Sequence, residues 1–284
     1  MTEEHKGVLA IAGTATIWGL SSIFYKALAD VPPLEVLSHR TLWSVVFILC
    51  VLAAQGRVGE ALRAARQRQV WLPLAASAVT IAANWFLFIA AVQQGRALEA
   101  SLGYYIFPLL AVALGFLVLG ERFTAWQSAA IGLAAAAVVV LTLGTGTAPW
   151  TALAIAGSFG LYGLVKARLP LGPLVSVFAE TLLLLPLALG WITWLGGGAF
   201  GQDWRTSVLL AFSGPLTGGP LMLFAYATRR IPYATVGLVQ YWNPTLQFAV
   251  AVWLFGEPFS LWHGVAFAMI WSGLGLYSWG SWRR

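Results

Sequence analysis

Ten apolar runs, each long enough to cross a bilayer, follow one another along this chain with mostly short polar breaks between them. A spanning helix needs about 20 mostly apolar residues. The runs cover approximately 7–27, 33–54, 70–93, 97–119, 124–145, 148–166, 171–195, 205–229, 233–255 and 259–281. Only 9% of the 284 residues are charged, against about 25% in a soluble domain. That deficit is too large to be the core of a water-soluble fold. In hydrocarbon each backbone polar group must be paired within its own segment, and a helix does this for runs of such length. The sequence therefore predicts an all-α integral membrane protein with ten transmembrane helices. One break is longer. Residues 55–69, "QGRVGEALRAARQRQ", read as an amphipathic turn or helix lying on the surface.

Loop lysines and arginines orient such a chain, because cytoplasmic loops carry the excess. Lys6, Arg57, Arg63, Arg66, Arg68, Arg122, Lys166, Arg168, Arg229, Arg230, Arg283 and Arg284 fall on one side, and Lys26, Arg96 and Arg205 on the other. Arg40 lies inside a run and completes the sixteen. Both termini are expected in the cytoplasm, with the chain in a bacterial inner membrane and lipid as a partner. The formal charge of +6 follows from that asymmetry. No basic stripe with interleaved aromatics is present, so nucleic acid is not an expected partner. Cys50 is the single cysteine, and His5, His39 and His263 lack metal-ligand spacing, so no metal site and no cofactor are expected.

The chain repeats itself. A shift of 136 brings Leu87-Phe88 onto Leu223-Phe224, Tyr105 onto Tyr241 and Pro108 onto Pro244, and then "GERFTAW" (120–126) onto "GEPFSLW" (256–262). A shift of 140 brings Pro33-Leu34 onto Pro173-Leu174 and Arg40 onto Glu180. Each half, 1–145 and 146–284, carries five runs. An odd number inverts the second half relative to the first, the layout of many secondary transporters, whose sites lie near mid-membrane at helices broken in corresponding positions. Here the expected broken pair is the fourth and ninth runs, at Pro108 and Pro244.

"QYWNP" (240–244) places polar residues and a helix breaker in the ninth run. Proline leaves the carbonyl four residues earlier without its helical donor, here that of Gln240, or of Tyr104 for Pro108. Gln240, Asn243 and Gln247 fall at i, i+3 and i+7 and share one helix face. They predict one polar wall of a solute cavity, with a kink packed between helices as the plainer alternative. Trp18, Asn84, Tyr104 and Tyr241 also sit deep in their runs, and Ser158 and Tyr162 recur at helical spacing in theirs; with Tyr105, His39 and Arg40 they complete the candidate substrate-binding set, packing being the plainer reading of any one alone. Arg40 and Glu180 each lie roughly 10 Å along their helices at about 1.5 Å per residue. In an inverted repeat those depths are measured from opposite faces, so a direct pair between them is only just within reach. Snorkelling and bonds to helix carbonyls are the plainer reading of Arg40. Glu121 and Glu257 follow glycines at run ends and read as helix-boundary residues.

Over nearly its whole length the sequence resembles the drug/metabolite transporter superfamily, in its EamA-type, RarD-like branch. The resemblance rests on "SHRTLWS" (38–44), "NWFLFIAAV" (84–92), "EASLGYYIFPLLAV" (99–112), "SFGLYGL" (158–164) and "PLMLFAYATRRI" leading into "VGLVQYWNPTLQF". It implies two inverted five-helix repeats around a central cavity lined by helices 1–4 and 6–9, with 5 and 10 peripheral, and export of amino acids or other small metabolites. Small multidrug relatives use a carboxylate in the first helix, but no acidic residue stands between Lys6 and Asp30 here. Phosphorylated substrates need several cations, and Arg40 is the sole deep one. A neutral or zwitterionic solute is therefore expected, moved by alternating access, in a monomer or in an oligomer packed through the small residues of helices 5 and 10. The alternatives are a drug or other metabolite exporter of the same fold, or a receptor or scaffold without transport. An enzyme is not expected: no G-x-S-x-G motif is present.

Overall fold

The computed structural model describes residues 2–119, 125–166, 169–231 and 233–282. Glu121, Arg122, Arg168, Arg283 and Arg284, and with them the first "GERF" motif, lie outside the described residues. The helices are α1 (Glu3–Lys26), α2 (Pro33–Ala54), α3 (Val58–Arg66), α4 (Trp71–Gln93), α5 (Ala97–Leu119), α6 (Ala125–Thr145), α7 (Trp150–Lys166), α8 (Pro173–Trp194), α9 (Trp204–Ala227), α10 (Tyr233–Gln240), α11 (Trp242–Ala249) and α12 (Leu261–Trp282). A π-helical turn, Val250–Leu254, extends α11. No strand occurs among the described residues. α3 falls in the long 55–69 break. Six helical stretches, in α1, α2, α4, α6, α8 and α9, are long and apolar enough to cross a membrane. The protein is thus a multi-pass membrane protein.

Local chemistry sets where the helices begin. Thr2 caps α1, its side chain accepting from the His5 N–H at 3.3 Å. Pro33 and Pro173 open α2 and α8, at the first helical position, where a missing N–H costs nothing. Asp203 caps α9 by accepting from the Thr206 N–H at 2.8 Å, and that backbone bond holds its carboxyl below the ordinary aspartate range. Glu257 accepts from the N–H groups of Ala97 and Leu98 at 2.8 and 2.7 Å, closing the start of α5 from a distant part of the chain. This agrees with its reading as a helix-boundary residue.

Large apolar side chains lie on the outside as well as in the core, and several polar ones are buried. Leu72, Leu143, Trp204, Trp253 and Leu261 are each more than three-quarters exposed, whereas Arg40, Ser77, Asn84, Ser176, Glu180 and Gln247 are buried. Lipid accepts the first group at no cost, and the second must find partners inside. Helices approach closely where glycine removes a side chain. A Cβ on Gly103 would stand 2.7 Å from the Ala152 carbonyl, between α5 and α7, and one on Gly19 would stand 2.7 Å from Leu246 Cβ, between α1 and α11.

The packing partners are α1 with α9, α10 and α11; α2 with α8 and α9; α4 with α7 and α8; α5 with α7 and α11; and α6 with α12. α6 and α12, the fifth and tenth runs, meet chiefly each other. One expectation is corrected here. The ninth run is broken at Tyr241, between α10 and α11, but the fourth is not: α5 continues through Pro108. Proline alone bends a helix without ending it when neighbours absorb the unpaired carbonyl.

Candidate functional site

Arg40 sits about two turns into α2 and is only 7% exposed. Its Nη1 donates to the Tyr25 hydroxyl at 2.6 Å. The guanidinium lies over the Trp85 ring, 4.0 Å from its centre, and 5.6 Å from that of Tyr25. Its Nε is buried without a hydrogen-bond partner. Among the described residues no carboxylate forms an ion pair with it. α1, α2 and α4 thus build a cation held by a hydroxyl and an aromatic face, with no counter-charge.

Beside it a second polar group joins α4, α5 and α7. Asn84 donates from Nδ2 to the Ile155 carbonyl at 3.0 Å and to Ser158 Oγ at 3.2 Å, and its Oδ1 accepts from the Tyr104 hydroxyl at 3.0 Å. Rings connect the two groups: Tyr25 meets Phe88 at 5.9 Å, and Phe88 meets Tyr104 at 5.7 Å. The column continues through Phe159, 5.7 Å from Tyr104, to Tyr162, a further 5.8 Å on.

Tyr162 belongs to a third cluster, around Glu180. That carboxylate is fully buried. It accepts from Lys166 Nζ at 2.6 Å, Ser176 Oγ at 3.1 Å, Tyr162 Oη at 3.4 Å and Ser77 Oγ. Glu180 and Arg40 do not pair: each has its own environment, at the two ends of the aromatic column. Lys166, at the end of α7, supplies the counter-charge instead.

The remaining candidates divide. His39 is buried beside Arg40 in sequence but turns to the 195–203 loop, stacked on Phe200 at 5.2 Å with neither ring nitrogen bonded. Tyr105 faces away from Tyr104, its hydroxyl 2.6 Å from Thr245 Oγ1 and its ring against Phe267. Trp18 is half-buried in α1, and its carbonyl accepts from Ser21 Oγ at 2.6 Å. Gln240 ends α10 and is half-buried. Tyr241 stands at the break, its carbonyl accepting from Thr245 Oγ1 at 2.7 Å. Asn243 Oδ1 accepts from Gln247 Nε2 at 2.9 Å, while Gln247 Oε1 is buried without a partner. The expected polar wall is thus partly spent on itself. The break does open space: a groove of about 480 Å³ is lined by Ala12, Val239, Tyr241, Trp242 and Thr245. Another, of about 630 Å³, runs between α1, α2 and α9 past Ile17, Phe47 and Leu223. Neither is lined by Arg40, Asn84 or Glu180. These grooves are mostly apolar, and the buried polar clusters lie elsewhere.

Sequence reasoning passed over Tyr25 and Trp85 as holders of Arg40, and Ser77, Ser176 and Lys166 as partners of Glu180. The sequence offered some signal for the first two, since Tyr25 ends a polar stripe in the first run and Trp85 adjoins Asn84. Lys166 is ambiguous in sequence, standing where a helix gives way to a loop.

Residues 5–143 match the sequence profile of the EamA-like transporter family. An uncharacterized transporter of Bacillus subtilis, YojE, is 38% identical over 99% of this chain and 97% of its own length. Protein RarD of Streptomyces exfoliatus is 40% identical over 98% of this chain and 89% of its own, and that of Escherichia coli 36% identical over 97% and 94%. A solved crystal structure superposes with a TM-score of 0.63 at 19% identity, covering 95% of this chain and 96% of that one, a likeness of fold alone.

Proposed function

The chain belongs to the EamA-like transporter family, in the RarD-like branch of the drug/metabolite transporter superfamily, and from that premise we propose that it exports amino acids and related small metabolites across the bacterial inner membrane. The ten runs all span in this reading, with both termini in the cytoplasm. The observation that carries it is the convergence of Arg40, Tyr25, Trp85, Asn84, Tyr104 and Ser158 from five helices inside a bundle whose outside is apolar. Polar groups at such depth are costly, and where they gather, even partly paired with one another, they commonly mark a solute pathway.

The two halves, 1–145 and 146–284, act as inverted repeats rocking against each other. Helix pairings support this. α1 against α10–α11 has its counterpart in α7 against α5. α1 against α9 matches α7 against α4, and α2 against α9 matches α8 against α4. The pairs α2–α8, α5–α11 and α6–α12 each map onto themselves, as they do about a two-fold axis. Alternating access then opens the column first from the Glu180 end and then from the Arg40 end.

Purified protein in liposomes tests this against a panel of radiolabelled amino acids and one nucleotide sugar. Saturable flux of amino acids is expected. Flux of the nucleotide sugar alone overturns the solute class, and no saturable flux of any solute overturns transport.

A further inference from the structure

The strongest unassigned feature is the edge of Arg40 that nothing occupies. A guanidinium presents five N–H donors in one plane. On one edge the Nε–H and the neighbouring Nη2–H project in parallel, at the spacing of two carboxylate oxygens. The Tyr25 hydroxyl takes Nη1, on the other side of the group, at 2.6 Å. Nε is buried without a partner, and Nη2 makes no hydrogen bond to a described residue. Trp85 covers the flat face at 4.0 Å. The group is therefore held in orientation, with its two-pronged edge left unpaired.

Resting on the transporter reading above, we propose that Arg40 is the carboxylate anchor of the solute site, that the solute class is a monocarboxylate with an apolar or aromatic body, and that an amino group on the solute is dispensable. The charge balance leads there. A buried cation without a counter-ion is costly, and a ligand that supplies the missing charge recovers that cost on binding. Glu180 cannot do so from within the chain, because Lys166, Ser77, Ser176 and Tyr162 already hold it. One fork also matches one carboxylate; a phosphate dianion needs more cations than this cluster has. The acceptors near the anchor are neutral. They are the hydroxyls of Tyr25 and Tyr104 and Asn84 Oδ1, the last already bonded to Tyr104. An ammonium group finds no anion there. The rings of Trp85, Phe88 and Tyr104 supply apolar surface for the solute body.

The test compares four probes on the full chain in nanodiscs and in liposomes: L-phenylalanine, 3-phenylpropionate, L-phenylalaninamide and inorganic phosphate. Thermal protection reads binding, and competition with labelled L-phenylalanine reads flux. Both carboxylates are expected to bind, 3-phenylpropionate at least as well as the amino acid, with the amide weaker by about tenfold or more, the value of charge-assisted bonds to one group. Phosphate alone is expected to do nothing. Arg40→Lys keeps the charge but loses the fork, and is expected to erase the preference for carboxylate over amide. Should that variant fail to fold, Arg40→Met, which also removes the fork, is expected to erase the same preference, and a chain carrying it with full discrimination overturns the anchor. An amide that binds as well as the acid overturns the anchor, as does an Arg40→Lys chain with full discrimination, or protection by phosphate equal to that by the carboxylates. Carboxylate binding without flux spares the anchor and sinks the transport reading; flux of acid and amide alike does the reverse.

Discussion

Arg40 and Glu180 occupy matching places, each seven residues past a proline that opens its helix, Pro33 or Pro173, yet their surroundings differ in kind. Glu180 is ringed by four donors, one of them a lysine, and every part of its charge is answered within the chain. Arg40 has one hydroxyl, an aromatic face and an unused edge. Depth and charge alone do not distinguish the two; how fully each is answered within the chain does. A matched buried pair ties helices together, here α4, α7 and α8. An unmatched one leaves donors without acceptors.

Removing the matched charge should have the largest effect. Glu180→Ala strands Lys166 and three hydroxyls, and the expected loss is about 3 kcal/mol or more of stability, read as a lower unfolding midpoint and a lower yield of folded protein. Neutralising both partners, in the chain carrying Glu180→Gln and Lys166→Met, should recover much of that; a double-mutant cycle is expected to give a coupling of about 1–3 kcal/mol. A coupling near zero would make the Glu180 cluster no tighter than the Arg40 one. Arg40→Met should do the opposite of Glu180→Ala: flux falls about tenfold or more while stability stays within about 1 kcal/mol, since the lost cation had no counter-charge. If it unfolds the protein as Glu180→Ala does, the contrast between the two charges fails. Tyr104→Phe, which removes one hydrogen bond to Asn84, is expected to cost about 1 kcal/mol and to lower flux severalfold.

The smallest effect is at the surface and serves as a baseline for both clusters. Asp203 has a carboxyl held below its ordinary range by the Thr206 N–H. Its contribution is present at neutral pH, above the unfolded value, and is lost as pH falls through the folded one. A slight drop of the unfolding midpoint on acidification, absent in Asp203→Ala, is the expected readout.

Much of the architecture was legible because its causes are local. Apolar runs and opening prolines announce helices within a few residues of where they form. The break at Tyr241 was also visible, in the polar cluster before Pro244. Its expected partner at Pro108 failed, since whether a proline interrupts a helix or only bends it depends on neighbours that the run itself does not name. Candidate residues were legible as a set and not as a site. Arg40, Asn84, Tyr104 and Ser158 gather around one place, Tyr162 joins Glu180, Tyr105 turns toward α11 and His39 toward the 195–203 loop.

The sequence by itself determined the solvent, the helices and the two deep charges, because hydropathy and helix-opening signals act over a few neighbouring positions. Only the tertiary structure decided which charge is answered. The partners of Glu180 come from 14 positions away in Lys166 and 103 away in Ser77, and electrostatic satisfaction depends on distance in space, which chain order does not encode.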